Sequence, residues 1–161
     1  MNIDFILNGE DVSIKTDPVD CLTDILRDQF KLKSIASDCR IGVCGKCIVF
    51  MNGRLVNSCL IPAFKLRSSE IITYEGFIST STFIECEKAF AQTDIEFCGS
   101  CDKAYTMALG SLLDSITRPL DSVIEDTMSS VYCRCATPSV ILRAVKAAVE
   151  SRFGGKYSHA R

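Results

Sequence analysis

The chain has 161 residues, 47% hydrophobic and 24% charged, with a net charge of −2. That length suits one domain or two small ones, and the balance is that of a globular protein. The weak charge leaves no basic footprint for nucleic acid or an anionic membrane, and no apolar run reaches the roughly 18 residues of a membrane span. The opening stretch "MNIDFILNGEDVSI" lacks a basic start followed by an apolar core, so no export signal is expected and the location expected is cytoplasmic. In that reducing compartment ten cysteines point to metal rather than to disulfides. The single histidine, His159, reads as solvated in the tail "GGKYSHAR", so no Cys–His or Ser–His catalytic pair is expected.

Asn2–Leu7 and Asp11–Thr16 read as strands joined by a hairpin turn at Asn8-Gly9. Leu22, Ile25, Leu26 and Phe30 then fall on one helix face, with Asp20 as the expected N-cap. A loop, Ser37–Lys46, leads into strand Cys47–Met51, turn Asn52-Gly53 and strand Arg54–Ser58. "EIITYE", Glu70–Glu75, completes a ββαβββ order near Gly76. Downstream the pattern is helical. Thr82 and Glu85 form a capping-box pattern before Phe83, Cys86 and Phe90. Tyr105, Leu109, Leu112, Leu113 and Ile116 mark a second helix, and Leu120, Ile124, Thr127, Met128 and Val131 a third. Thr137-Pro138 opens a fourth, with Ile141, Ala144, Val145, Ala148 and Val149 facing inward. The expected architecture is therefore α+β. Residues 1–76 form a first domain, 77–153 a four-helix bundle and 154–161 a flexible tail.

The first cysteine group is "CRIGVCGKCIVFMNGRLVNSC", Cys39 to Cys59. A two-residue turn at Asn52-Gly53 pairs positions whose numbers sum to 105, which sets Ile48 opposite Asn57 and Cys47 opposite Ser58. Cys59 then emerges beside Cys47 although eleven residues intervene. Cys39, Cys44 and Cys47 come from one loop whose glycines, Gly42 and Gly45, let its N–H groups turn toward an anion. Cys-x4-Cys-x2-Cys is the plant-type ferredoxin spacing for a [2Fe-2S] cluster, whereas structural zinc more often uses paired Cys-x2-Cys knuckles.

The second group is Cys98-Gly-Ser-Cys101 at the entrance to one helix and Cys133-Arg-Cys135 just before another. An extended Cys-x-Cys sends both side chains to one side, and two helix N-termini would offer N–H groups to an anionic cluster. On local spacing alone, zinc and an iron–sulfur cluster both remain open here. Cys21 and Cys86 are left over and read as small buried or half-buried hydrophobes.

Taken together, the two groups resemble the small iron–sulfur subunit of the molybdenum hydroxylases, the family of xanthine dehydrogenase, aldehyde oxidoreductase and carbon monoxide dehydrogenase. "CRIGVCGKC" with "GRLVNSCL", and "CGSC" with "CRC", carry the likeness, which spans Asn2 to about Arg152. The resemblance implies an N-terminal β-grasp, ferredoxin-like domain and a C-terminal four-helix bundle, each with one [2Fe-2S] cluster. It assigns Cys39, Cys44, Cys47 and Cys59 to one cluster and Cys98, Cys101, Cys133 and Cys135 to the other. It further implies an electron-transfer subunit of a hetero-oligomeric oxidoreductase. A larger partner would hold molybdopterin near the bundle cluster, and an FAD-binding subunit would face the ferredoxin-like cluster. Phe97 and Cys135 would lie on the pterin-facing side. The family usually has Gln where this chain has Phe97, Thr-Pro-Gly where it has Asp102-Lys103-Ala104, and Thr-Gly-Tyr where it has Ala136-Thr137-Pro138. A free-standing two-cluster carrier and a zinc-binding interaction module are the rival readings.

Overall fold

In the computed structural model, residues 1–97 and 99–154 are described. The chain divides into two compact units, Met1–Thr80 and Ser81–Arg161.

The first unit is a five-stranded mixed sheet in the order β2-β1-β5-β3-β4. Strands β1 (Asn2–Leu7) and β2 (Glu10–Lys15) form the first hairpin. Its turn residues, Asn8 and Gly9, both have positive φ, as a tight turn matched to strand twist requires. Alternation along β1 sends Ile3, Phe5 and Leu7 into the core. Strands β3 (Ile48–Met51) and β4 (Arg54–Asn57) form the second hairpin in the expected register, Ile48 opposite Asn57 and Met51 opposite Arg54. Strand β5 (Glu70–Ile72) joins the hairpins, parallel to β1 and antiparallel to β3. Helix α1 (Leu22–Asp24) continues as a wider π turn, Ile25–Gln29, and buries Leu22, Ile25 and Leu26.

Two local expectations are corrected here. Cys21, not Asp20, is the N-cap of α1. The Asp20 carboxylate instead accepts from the Thr16 hydroxyl and the Asp17 N–H, and the first helical N–H, of Leu22, is met by the Ile61 carbonyl. Strand β5 stops at Ile72 rather than Glu75, because the Thr73 N–H leaves the ladder for the Asn8 side-chain oxygen at 2.8 Å. A short helix, α2 (Tyr74–Phe77), follows.

The second unit holds helices α3 (Ser81–Ala91), α4 (Asp102–Ser115), α5 (Asp121–Ser129) and α6 (Pro138–Phe153). Helix α4 packs on α3, α5 and α6. The inward residues of α6 are buried as its 3.6-residue period predicts: Ile141, Ala144, Val145, Ala148 and Val149. Arg152 reaches Asp114 at 3.0 Å and Glu85 at 3.6 Å, tying α6 to α4 and α3. Thr82 does not cap α3, because it lies inside the helix and donates to Asp114 at 2.8 Å. Ile116 and Leu120 are exposed, since both fall beyond the helix ends in the α4–α5 connection. The chain is thus a mixed α/β fold, one five-stranded sheet with six α-helical segments among the described residues. No helix among them is long and apolar enough to cross a membrane.

A polar relay fastens the loop that precedes Cys39 to the sheet. The Glu75 carboxylate accepts from the Ser34 hydroxyl at 2.7 Å, the Ser34 N–H at 3.2 Å and the Thr73 hydroxyl at 2.8 Å. The Asn8 amide donates to the same Thr73 hydroxyl at 3.0 Å. Burial pushes the Glu75 carboxyl up, but the Ser34 and Thr73 hydroxyls and the N–H groups outweigh it and hold it below the ordinary 4.5. A depressed carboxyl contributes stability that is complete above its ordinary pKa and is lost as pH falls through the folded value. Glu75→Gln should therefore cost about 1–2 kcal/mol near neutrality, because an amide can accept only part of this set. Denaturant titrations should show the parent's advantage shrinking as pH falls below 4.5.

Candidate metal centres

The loop between α1 and β3 curls because residues of left-handed conformation recur along it. Arg40, Gly42 and Gly45 have φ of 56°, 77° and 68°. Such alternation turns successive N–H groups to one side and makes an anion-binding concavity. The N–H groups of Ile41, Cys44 and Val43 face the Cys39 sulfur, the Cys44 N···S distance being 3.4 Å, and hold that thiol down at about 6. Gly42 has a further constraint. A Cβ there would lie 2.5 Å from the Leu60 Cδ1.

The second hairpin delivers the fourth thiol. The Ser58 N–H and hydroxyl both bond the Cys47 carbonyl, at 3.1 and 2.7 Å. Cys59 follows in a 3-10 turn, Ser58–Leu60, and its thiol shares a hydrogen bond with Cys47. Burial, together with Cys47, pushes the Cys59 thiol up to about 11, although the Gly42 N–H faces it. The set thus mixes a thiol poised to ionise with a buried one that is not. Four adjacent thiolates require a compensating cation to coexist.

In the second unit, Cys101 is the N-cap of α4 and is buried, while Cys133 and Cys135 precede α6. Cys133 lies within hydrogen-bonding reach of Cys101 and Cys135, so the fold closes a gap of 31 residues. Cys98 lies outside the described residues. The Cys133–Cys135 segment is bent rather than extended, because the Cys135 N–H turns back to the Cys133 sulfur at 3.2 Å. Burial pushes the Cys133 thiol up, but the Cys135 N–H and the Cys101 thiol outweigh it, so the net direction is down. None of the nine described cysteines forms a disulfide. Among the described residues, no three His, Cys, Asp or Glu side chains gather as closely as a single metal ion requires.

Several residues around these thiols carry no motif. Tyr105, one helical turn after Cys101, is buried and donates from its hydroxyl to the Val131 carbonyl at 3.1 Å. Desolvation and the nearby Cys133, Cys101 and Cys135 push its phenol up to about 12. In the sequence it reads only as one more residue of an apolar face. Phe97 is half-buried, its ring 5.4 Å from Phe90 and 5.6 Å from Tyr105. Asn57 bonds the Gly42 carbonyl at 3.2 Å, a contact no spacing rule anticipates.

Residues 73–146 match the [2Fe-2S] binding domain family. The chain is 36% identical over 150 residues to the nicotinate dehydrogenase small FeS subunit of Eubacterium barkeri, covering 93% of this chain and 96% of that one. It is 35% identical over 146 residues to a nicotinate dehydrogenase subunit of Pseudomonas putida, covering 91% and 93%. The chain belongs to the small iron–sulfur subunits of the molybdenum hydroxylases. The fold agrees: the aldehyde oxidoreductase of Desulfovibrio desulfuricans superposes with a TM-score of 0.80 at 25% identity over 93% of this chain. This chain spans 17% of that longer polypeptide. Small iron–sulfur subunits of this family are electron-transfer components of oxidoreductase complexes.

Cys86 stands apart from both thiol groups. It is wholly buried on α3, and desolvation, with Asp114 and Glu85 nearby, pushes its thiol up to about 12. An inert thiol is the consequence. At about pH 8, iodoacetamide should modify Cys86 only after denaturation, as read by peptide mass spectrometry. Labelling of the folded protein at the rate of the unfolded chain would contradict this.

Proposed function

We propose that this chain carries two [2Fe-2S] clusters and relays electrons from a molybdopterin-bearing catalytic subunit to an FAD-bearing acceptor. Cys39, Cys44, Cys47 and Cys59 hold one cluster in the ferredoxin-like domain, residues 1–76. Cys98, Cys101, Cys133 and Cys135 hold the other in the helical bundle, residues 77–153. The observation that carries this reading is the pairing of sulfur-only donor sets with inward N–H groups: Ile41, Val43 and Cys44 at Cys39, Gly42 at Cys59, and Cys135 at Cys133. Iron–sulfur groups are anionic, and N–H donors to sulfur stabilise them and set their potentials. The donor set therefore fits.

When bound, the clusters supply one-electron redox chemistry, so a two-electron substrate oxidation would leave through them in single steps. The chain's own residues hold the sulfurs, exclude water and tune potential. No residue is assigned to substrate chemistry. Cys135 is exposed, and Phe97 is half-buried directly before Cys98, which suits the side that meets the pterin. Phe97 offers a pterin only apolar surface, so its polar edge would find donors elsewhere. At the other site, Ile41 and Val43 are 69% and 65% exposed, and Leu60, which covers Gly42, is 58% exposed. An apolar rim on a polar redox loop suits a docked partner, here the flavin subunit. A cytoplasmic location suits cysteines that serve metal instead of disulfides.

Anaerobically purified chain should contain about four irons and four sulfides, two per cluster. Dithionite reduction should give two distinct paramagnetic signals. Cys59→Ser should remove one and Cys133→Ser the other. Native purification should recover a larger molybdopterin-containing chain alongside it. Colourless protein with stoichiometric zinc would establish the zinc-module reading instead, and a monomer active toward soluble carriers the free-standing one.

A further inference from the structure

We propose that Asn57 is a positioning residue: by holding the Gly42 carbonyl, its side-chain amide fixes the Gly42–Val43 peptide plane so that the Val43 N–H faces the Cys39 sulfur. The inference rests on the reading that Cys39 and Cys59 hold a cluster.

The Asn57 Oδ1 is buried and has no hydrogen-bond partner among the described residues. A buried polar atom without a partner costs roughly 1–3 kcal/mol, and an apolar residue of similar size would avoid that cost. The amide's one bond is from Nδ2 to the Gly42 carbonyl, at 3.2 Å. Facing a carbonyl, only the NH2 end of an amide can bond, so the orientation of Asn57 is determined. Asn57 is also rigidly placed. It ends β4 opposite Ile48 and precedes Ser58, whose backbone and side chain both bond Cys47.

That bond acts across one peptide unit. A trans peptide is planar, with its C=O and N–H on opposite sides. Drawing the Gly42 oxygen toward Asn57 therefore directs the Val43 N–H the other way. The Cys44 N–H donates to the Cys39 sulfur at 3.4 Å, and the Val43 N–H is directed at the same sulfur as a weaker contributor. The preceding plane, Ile41–Gly42, presents its N–H to Cys59. Gly42, at φ 77°, can rotate between these orientations more freely than any other residue, so the plane needs an external fastening. Leu60 blocks one side of the glycine but cannot bond its carbonyl. Asn57 supplies the missing polar contact, and one side chain thereby sets an N–H to sulfur that it does not itself touch.

The test compares midpoint potentials of the two clusters in iron-loaded, full-length parent, Asn57→Leu and Asn57→His by redox titration with paramagnetic resonance. Loss of an N–H···S bond lowers a cluster's potential. Asn57→Leu should lower the potential of the cluster lost in Cys59→Ser and leave the other unchanged. Asn57→His, whose ring can place an N–H near the Asn57 Nδ2 position, should restore it. If Asn57→Leu releases that cluster and Asn57→His retains it, the proposal also stands. An unchanged potential in Asn57→Leu overturns it, as does cluster loss that Asn57→His does not repair. A parent lacking the signal that depends on Cys59 would instead refute the assignment of the site.

Discussion

Thiols crowded onto one loop would repel one another once ionised, and the backbone of the Cys39–Cys47 loop answers that constraint. Its answer is a short stretch of backbone in which left-handed residues at 40, 42 and 45 turn N–H groups toward sulfur. Such a stretch cannot belong to a helix or a strand, because its donors are withdrawn from any ladder. It must be held by its neighbours. The second hairpin holds one end through Ser58 and Cys47, and Asn57 holds the middle. The relay from Asn8 through Thr73 and Glu75 to Ser34 holds the approach. The loop is therefore ordered by polar contacts to a rigid sheet rather than by a core of its own.

The helical unit meets a similar requirement by different means. There Cys101 sits at a helix start, where unpaired N–H groups occur, and Cys133 and Cys135 lie just before another helix. Cys101 caps α4, and the bent segment from Cys133 to Cys135 leads into α6. Bringing them together is the task of helix packing, and Tyr105 joins the two by donating to the Val131 carbonyl. Phe97 meets Phe90 edge to face and packs at a tilt against Tyr105, so it serves the packing of its own unit.

Much was legible in the sequence because it rests on short-range rules. The strands, the turns at Asn8-Gly9 and Asn52-Gly53, the register that brings Cys59 to Cys47, and the buried stripe of α6 follow from period and turn chemistry. Several expectations failed where a polar group found a partner other than the one its local pattern implies. Asp20 is taken by Thr16 and Asp17, Thr82 by Asp114, and the Thr73 N–H by Asn8. Capping rules assume that the helix's own first N–H groups are the best partner available, and here they were not.

By itself, then, the sequence determined where the main strands and helices form and how the second hairpin pairs, since both depend on spacing along the chain. Only the tertiary structure decided which N–H groups face which sulfur, that Tyr105 sits among three cysteines, and that Asn57 bonds Gly42. These contacts join segments separated by loops whose path no periodicity encodes. Their directions depend on the rotation of individual peptide planes, which becomes fixed only when the surrounding elements have packed.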